Sequence, residues 1–505
     1  MPSPGKPNVL LVMTDQHRAD LTRATGCPLD TMPTLDATAS RGALFRNAYT
    51  AAPLCVPARV SMLTGRFPTA HRVRQNSTGE HALYDADLLD VLREQGYGLG
   101  FAGKPHIHRP LTDFDVASGP YWHERGPTGE GEAGEQDRAF DAWLHELDHG
   151  VATEPTPFPL ERQLPYRIVS DAIDVVDRLT ADDPDRPFFC WVSFPEPHNP
   201  YQVPSPYFEL FPEDEVPDRL AGPEARDAKG PMFRWLGELF ESKRPGFDDR
   251  WRRYRASYLG MLRLLDDQVA RLLDHLGDQL ADTVVVHVAD HGDFVGEYGL
   301  QRKGAGMPEV LMRIPMQISG PGVAPGTQVT EPVSIVDLMP TLCELAGAPI
   351  PDGVQGRSLA PLLRGEPAPP AEFGSVYAEL GYGGVPYRHD EHPELHFSYD
   401  GPTLDELNTV TMSGGTRMVR AGRHKLTLDA DGRVELYDLE SDPAELVDLA
   451  DDPGLADVRG ELLRLLGRWM IRVADDLPRG AYVPKTVPHN WRWADLGTST
   501  TEGST

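Results

Sequence analysis

Short apolar runs alternate with segments of helical period over the first two-thirds of this chain, and that alternation limits it to few architectures. Val9–Met13, Leu44–Ala48, Gly98–Ala102, Phe188–Phe194, Thr283–Ala289 and Met316–Ser319 have strand length. Thr34–Arg41, Ala86–Gln95, Arg167–Leu179, Tyr254–Leu276 and Ile335–Ala346 repeat their apolar residues as helices do. The pattern predicts an α/β fold with a mostly parallel central sheet flanked by helices. In such sheets ligands bind beyond the carboxyl ends of the strands. Two runs end in acid clusters there: Val9–Met13 in Asp15-Gln16-His17, and Thr283–Ala289 in Asp290-His291-Gly292-Asp293. Both point to one site.

The 505 residues allow two to four domains at roughly 100–200 residues each. Gly119–Pro165 and Pro204–Arg250 are rich in Pro, Gly and Glu and read as long loops framing the site. Arg364-Gly-Glu-Pro-Ala-Pro-Pro-Ala reads as a linker. The division expected is an α/β domain over 1–368 and a smaller C-terminal α+β subdomain over 369–505. In the latter, Arg417–Ala421, Lys425–Leu428 and Val434–Tyr437 are short antiparallel strands, Gly454–Ala474 is a helix, and the tail from Gly497 is disordered.

With 48 basic and 77 acidic residues the net charge is −29, which argues against nucleic-acid or anionic-membrane partners. Any anion this chain handles must be held by a local site. No apolar stretch approaches the roughly 20 residues of a membrane span, and no secretory signal is visible, so the expected location is the cytoplasm. Cys27, Cys55, Cys190 and Cys343 are scattered without CxxC spacing, which indicates neither a disulfide scaffold nor a zinc ribbon.

Gly98-Leu-Gly-Phe-Ala-Gly103-Lys104 imitates a nucleotide-binding loop, but Pro105 and Pro110 forbid the helix that such a loop must open. Nucleotide binding is rejected. In Pro53-Leu-Cys55-Val-Pro57-Ala-Arg59-Val-Ser61, Pro57 suits a first helical turn, leaving Cys55 just before a helix N-terminus whose amides and dipole favour an anion. Arg59, one turn in, can face the same spot. An ordinary reactive thiol fits that description equally well.

Cys55-x-Pro-x-Arg59 followed by Ser61-Met-Leu-Thr64-Gly65 resembles the signature of the type I, formylglycine-dependent sulfatases of the alkaline-phosphatase-like superfamily. The motifs Asn8–Gln16, Gly103-Lys104-Pro-His106, Pro197-His198-Asn-Pro-Tyr201, Asp290-His291-Gly292 with Lys303, and Glu435-Leu-Tyr-Asp-Leu-Glu-Ser-Asp442-Pro443 also resemble that family's, in its order. Residues 1–368 are then the catalytic domain. Val56 departs from the small or hydroxyl residue usual after the Cys, and Gln16 stands where many members have a second metal-binding Asp.

The resemblance implies hydrolysis of a small-molecule sulfate monoester. Cys55, oxidised to formylglycine by a separate generating enzyme, would supply the nucleophile as its hydrate, whose second hydroxyl can later expel sulfate. It implies a divalent metal on Asp15, Gln16, position 55, Asp290 and His291, with Ca²⁺ expected and Mn²⁺ or Mg²⁺ the alternatives. Only seven of the 48 basic residues are Lys, and Lys104 and Lys303 match the family's sulfate-binding cations. Arg59 would support the diol, His106 would hydrogen-bond its hydroxyls, and His198 would protonate the leaving oxygen. His17, His71, His108 and His287 read as structural or surface residues. A phosphonate monoester hydrolase or phosphodiesterase of the same fold, and a catalytically silent binding protein, are the competing readings.

Overall fold

In the computed structural model of the protein, which describes residues 6–121, 134–147, 150–181, 183–383, 390–391 and 414–474, β1 (Asn8–Asp15) lies at the heart of the fold. Val9, Leu11 and Met13 enter one apolar cluster while Leu10 and Val12 enter another, all at 0% exposure. A strand covered on both faces must be apolar throughout, which is why this run does not alternate. β1 pairs in parallel with β6 (Phe188–Pro197) and β7 (Thr283–Ala289), and β6 pairs in parallel with β4 (Gly98–Gly103).

With β2 (Ala43–Phe45), β5 (Val116–Ser118), β9 (Met316–Ser319) and β10 (Thr327–Val329), these make an eight-stranded sheet in the order β10-β2-β9-β7-β1-β6-β4-β5. Only the contacts of β9 are antiparallel. Helices Pro33–Ser40, Leu164–Thr180 and Trp251–Leu276 cover one face; Cys55–Thr64, Leu88–Glu94 and Leu338–Leu345 cover the other. The expected α/β architecture is the one observed. Among the described residues no helix is long and apolar enough to cross a membrane.

Three local expectations need correction. The run Leu44–Ala48 is two strands: β2 stays in the large sheet, while β3 (Ala48–Tyr49) joins a small sheet between β8 (Arg313–Ile314) and β11 (Val333–Ser334). The break falls at the polar pair Arg46-Asn47, where the Asn47 amide donates to the Thr330 carbonyl at 2.6 Å. The two expected loops contain helices Glu135–Leu147 and Pro231–Lys243. Phe140 and Leu144, and Phe233, Leu236 and Phe240, give those helices one buried face each, a periodicity hidden by the surrounding Pro and Glu.

The C-terminal part forms an antiparallel sheet, β12 (Val376–Gly383), β13 (Gly414–Ala421), β14 (His424–Asp429) and β15 (Val434–Asp438), with helix Ala456–Arg472 packed on it. β12 was not expected from the sequence. Tyr377, Leu426 and Trp469 share a cluster with Phe67 and Leu338, so this part is packed onto the large sheet's flank. The tail from Gly497 lies outside the described residues.

The glycines of Gly98–Gly103 are packing residues. A Cβ on Gly103, whose φ is +120°, would stand 1.9 Å from the Ser193 carbonyl oxygen, whereas one on Gly100 would meet only the side-chain tips of Val175 and Leu179 at 2.6 and 2.8 Å. We therefore expect Gly103→Ala to cost about 2 kcal/mol or more, and Gly100→Ala less, read as the fall in thermal melting midpoint. An unchanged midpoint for Gly103→Ala would contradict this.

Candidate active site

Because Thr14 of β1 lies beside Ala289 of β7, the residues just beyond them, Asp15 and Asp290, emerge side by side at the carboxyl edge of the sheet. The chain turns sharply after β1, with Gln16 at φ 67°, and its amide donates to Asp290 Oδ1 at 3.0 Å. The amide of His291 donates to the same oxygen at 2.9 Å. Cys55 is the first residue of the ten-residue helix Cys55–Thr64, one position further in than its sequence setting suggests. Leu54 offers no side-chain cap; the Val56 amide donates to Asn76 Oδ1 at 3.1 Å, Pro57 has no amide hydrogen, and the Ala58 amide donates to the Leu54 carbonyl at 3.0 Å.

Arg59 is fully buried and joins these pieces. Its Nε donates to Asp290 Oδ2 at 2.9 Å, Nη2 to Asp15 Oδ2 at 3.1 Å, and Nη1 to Ser193 Oγ at 2.8 Å and the Lys104 carbonyl at 3.0 Å. Lys104 Nζ lies 2.9 Å from Asp15 Oδ2. Lys303 Nζ reaches Cys55 Sγ at 3.3 Å and Gln16 Oε1 at 2.7 Å. Around the Cys55 sulfur stand His291 Nε2 at 3.3 Å and Asp15 Oδ1 at 3.6 Å. Three cations thus face two carboxylates inside a chain of net charge −29.

Burial alone would lift the Asp15 pKa, but Lys104, Arg59 and Lys303 hold it well below the usual carboxylate range. Burial, reinforced by Asp15, pushes the Cys55 thiol up to about 11. Burial brings His291 down to about 4. Its Nδ1 faces the Gly292 carbonyl at 2.8 Å, and since a carbonyl only accepts, Nδ1 carries the proton and Nε2 keeps its lone pair toward Cys55. His106 and His198 border the cluster, and burial next to Lys104 and Lys303 lowers both well below the ordinary imidazole value. His198 Nδ1 contacts the Asn199 carbonyl at 2.6 Å, so its Nε2 is the proton-free nitrogen of the neutral ring.

Ligand atoms of Asp15, Cys55, Asp290 and His291 all lie within 4.8 Å of one another. Two carboxylate oxygens, an imidazole nitrogen prepared by its tautomer, and position 55 suit a divalent cation. Gln16 borders this set: its oxygen accepts from Lys303 at 2.7 Å and its NH₂ donates to Asp293 at 2.6 Å. Arg59 donates to both carboxylates and to Ser193.

Asp293, Ser193 and Glu196 are site residues whose part the sequence did not reveal. Asp293, lifted by burial to about 6, accepts from Gln16, from Tyr201 at 2.9 Å and from the amide of Arg302 at 2.8 Å. Ser193 is a hydroxyl inside an otherwise apolar run, a detectable signal. Glu196, two residues before His198, is lifted by burial to about 8. Of the histidines read as structural, His71 meets Ser61 and His108 meets Asp87, both at 2.9 Å.

A raised thiol pKa means Cys55 is neutral, and slow to alkylate, throughout the neutral range. In chelator-treated protein with Cys55 unconverted, the mass of the Cys55 peptide after iodoacetamide treatment should show slow labelling at about pH 8 that accelerates toward the pKa of about 11. Labelling at the rate of a free cysteine would contradict it.

Residues 7–348 match the family model described as Sulfatase. A choline-sulfatase of Rhizobium meliloti (strain 1021) is 30% identical over 466 residues, covering 89% of this chain and 83% of that protein. An arylsulfatase of Clostridium perfringens (strain 13 / Type A) is 28% identical, covering 88% of this chain and 90% of its own. Among solved structures, a phosphonate monoester hydrolase of Agrobacterium radiobacter superposes with a TM-score of 0.76 at 22% identity, over 95% of this chain and 98% of that one. At that identity the likeness is one of fold.

Proposed function

This chain belongs to the sulfatase family, and we propose that Cys55, converted to formylglycine by a generating enzyme, is its nucleophile in the hydrolysis of a small-molecule sulfate monoester. It is a sulfuric ester hydrolase of alkaline-phosphatase-like fold. One observation carries the assignment of roles: the Cys55 sulfur, at a helix N-terminus, lies within 3.6 Å of His291, Lys303 and Asp15.

Asp15, Asp290 and His291 would hold a divalent cation next to position 55, and we read it as Ca²⁺, with Mn²⁺ or Mg²⁺ next. Such an ion supplies Lewis acidity and favours ionisation of the nucleophile. The rest is work for the chain's own groups. Arg59 fixes the two carboxylates so that they converge. Lys104 and Lys303 offer ammonium donors to the sulfate oxygens, where charge grows as the ester bond breaks. His106 hydrogen-bonds the hydroxyls of the hydrated formylglycine.

His198 protonates the leaving oxygen. To do so it must first be charged; burial and then Lys303 and Lys104 disfavour that, and the substrate's anionic group offsets the share of the lysines. The phosphonate monoester and phosphodiester reading has support only from fold.

Co-expression with a formylglycine-generating enzyme should convert Cys55, seen in the mass of its peptide, and sulfatase activity should rise in proportion to conversion. Chelation should abolish turnover without unfolding the protein. Full activity with Cys55 entirely as thiol would overturn the assignment, as would a panel in which phenylphosphonate or diester cleavage outruns sulfate cleavage about tenfold for one leaving group.

The role of His198 has its own signature. A general acid matters most where the leaving group is poor, so His198→Ala should lower kcat/KM for an alkyl sulfate by about 10²–10³ but for 4-nitrophenyl sulfate by about tenfold or less. Equal losses on both substrates would remove His198 from that role.

A further inference from the structure

The segment Glu435–Pro443 resembles a family motif, yet none of its residues is among those in contact with Cys55, Asp15 or Asp290. β15 runs into a turn built by Asp442, which accepts the Val447 amide on Oδ2 at 2.8 Å, while the Glu445 amide donates to its carbonyl at 3.0 Å. Glu445 takes a left-handed conformation, φ 54°, and is buried. Its carboxylate accepts Lys425 Nζ from β14 at 2.9 Å and the backbone amide of Glu309 at 2.7 Å. Lys425, at 0% exposure, also donates to the Met307 carbonyl at 2.5 Å and to Glu309 Oε1 at 3.2 Å. Glu309 Oε2 accepts the Tyr49 hydroxyl at 2.8 Å. Beside Glu445, the Ala444 carbonyl accepts the Tyr298 hydroxyl at 2.8 Å.

The C-terminal sheet therefore grips the catalytic part at Tyr298 and at Met307–Glu309, and between those grips lies Lys303. The stretch between is pliant by composition: Gly304 and Gly306 adopt φ 123° and 61°, and each gives the backbone freedom that no other residue would. Lys303 must nevertheless keep its ammonium 3.3 Å from position 55. A buried ion cluster is a poor source of net stability, because desolvation offsets attraction, but its demand for satisfied charges fixes geometry sharply.

We propose that Lys425 and Glu445 are positioning residues for sulfate hydrolysis, a clamp by which the C-terminal sheet fixes the loop that presents Lys303 to the sulfate. This rests on the reading of Lys303 as a sulfate-binding cation. The clamp forms no contact with substrate and acts only through Lys303, so its removal should cost nothing once Lys303 is gone.

A double-mutant cycle on the full-length, formylglycine-bearing protein with 4-nitrophenyl sulfate tests it. Lys425→Met should lower kcat/KM at least about tenfold, mostly in kcat, while adding it to Lys303→Ala should lower kcat/KM by less than about twofold more. Should Lys425→Met fail to fold by circular dichroism, Glu445→Gln, of the same shape, enters the same cycle with the same expectation. An equal loss in both backgrounds, the mark of a merely structural role, overturns the clamp. So does parental kcat/KM in a folded Lys425→Met or Glu445→Gln. A Lys303→Ala protein with parental activity overturns the underlying reading of Lys303, and the clamp with it.

Discussion

The guanidinium of Arg59 touches both Asp15 and Asp290 at zero exposure, and the site depends on that contact. Two carboxylates brought together in a dry interior repel one another and lose their hydration, so unaided they would take up protons or move apart. Arg59 prevents both. It also reaches Ser193 on β6 and the Lys104 carbonyl beyond β4, so one planar group registers four segments of the sheet edge. Lysine could not replace it, because a point charge has no fork with which to hold two carboxylates at fixed angles. Removing one member of such a buried network typically costs about 3–5 kcal/mol.

Around that centre the charges are layered. Asp15 and Asp290 are the inner anions; Lys104 and Lys303 stand next to them and to position 55; His106 and His198 form the rim, kept neutral by burial and by those same lysines. In the proposed reaction, an anionic substrate would relieve the electrostatic cost of these cations and so favour a proton on His198. The glycines of β4 serve the same construction from the other side: Gly103 lets the chain pass against Ser193, bringing Lys104 over Asp15.

The C-terminal sheet completes the arrangement at a distance. Some of its apolar residues merge with the main core, others pack with Leu54 and Met307, and a buried ionic contact runs through Lys425, Glu445 and Glu309. Apolar packing tolerates sliding, while a buried cation with three oxygen partners does not. The ionic contact therefore adds a fixed geometry to the apolar packing of Met307 at the loop bearing Lys303.

Much of this was legible in one dimension. Strands buried on both faces are uniformly apolar, so β1, β6 and β7 announced themselves, and the polar residues that follow them had to lie at the carboxyl edge; the Cys55–Arg59 spacing placed a nucleophile and a cation one helical turn apart. What periodicity could not reach were contacts between segments far apart in the chain. That Gln16 would turn its oxygen to Lys303, that Arg59 would be spent on two carboxylates, and that Asp293 would anchor Gln16 and Tyr201 depend on side-chain directions fixed by packing. Helices Glu135–Leu147 and Pro231–Lys243 were hidden for a related reason: their buried faces are narrow, and only a partner surface decides which residues count as core. The sequence by itself determined the parallel sheet and the edge at which Asp15 and Asp290 meet, because these follow from local pattern. Which atom faces which, and the tie between the C-terminal sheet and Lys303, were decided only by tertiary structure, since hydrogen bonds and buried charges are satisfied by neighbours in space.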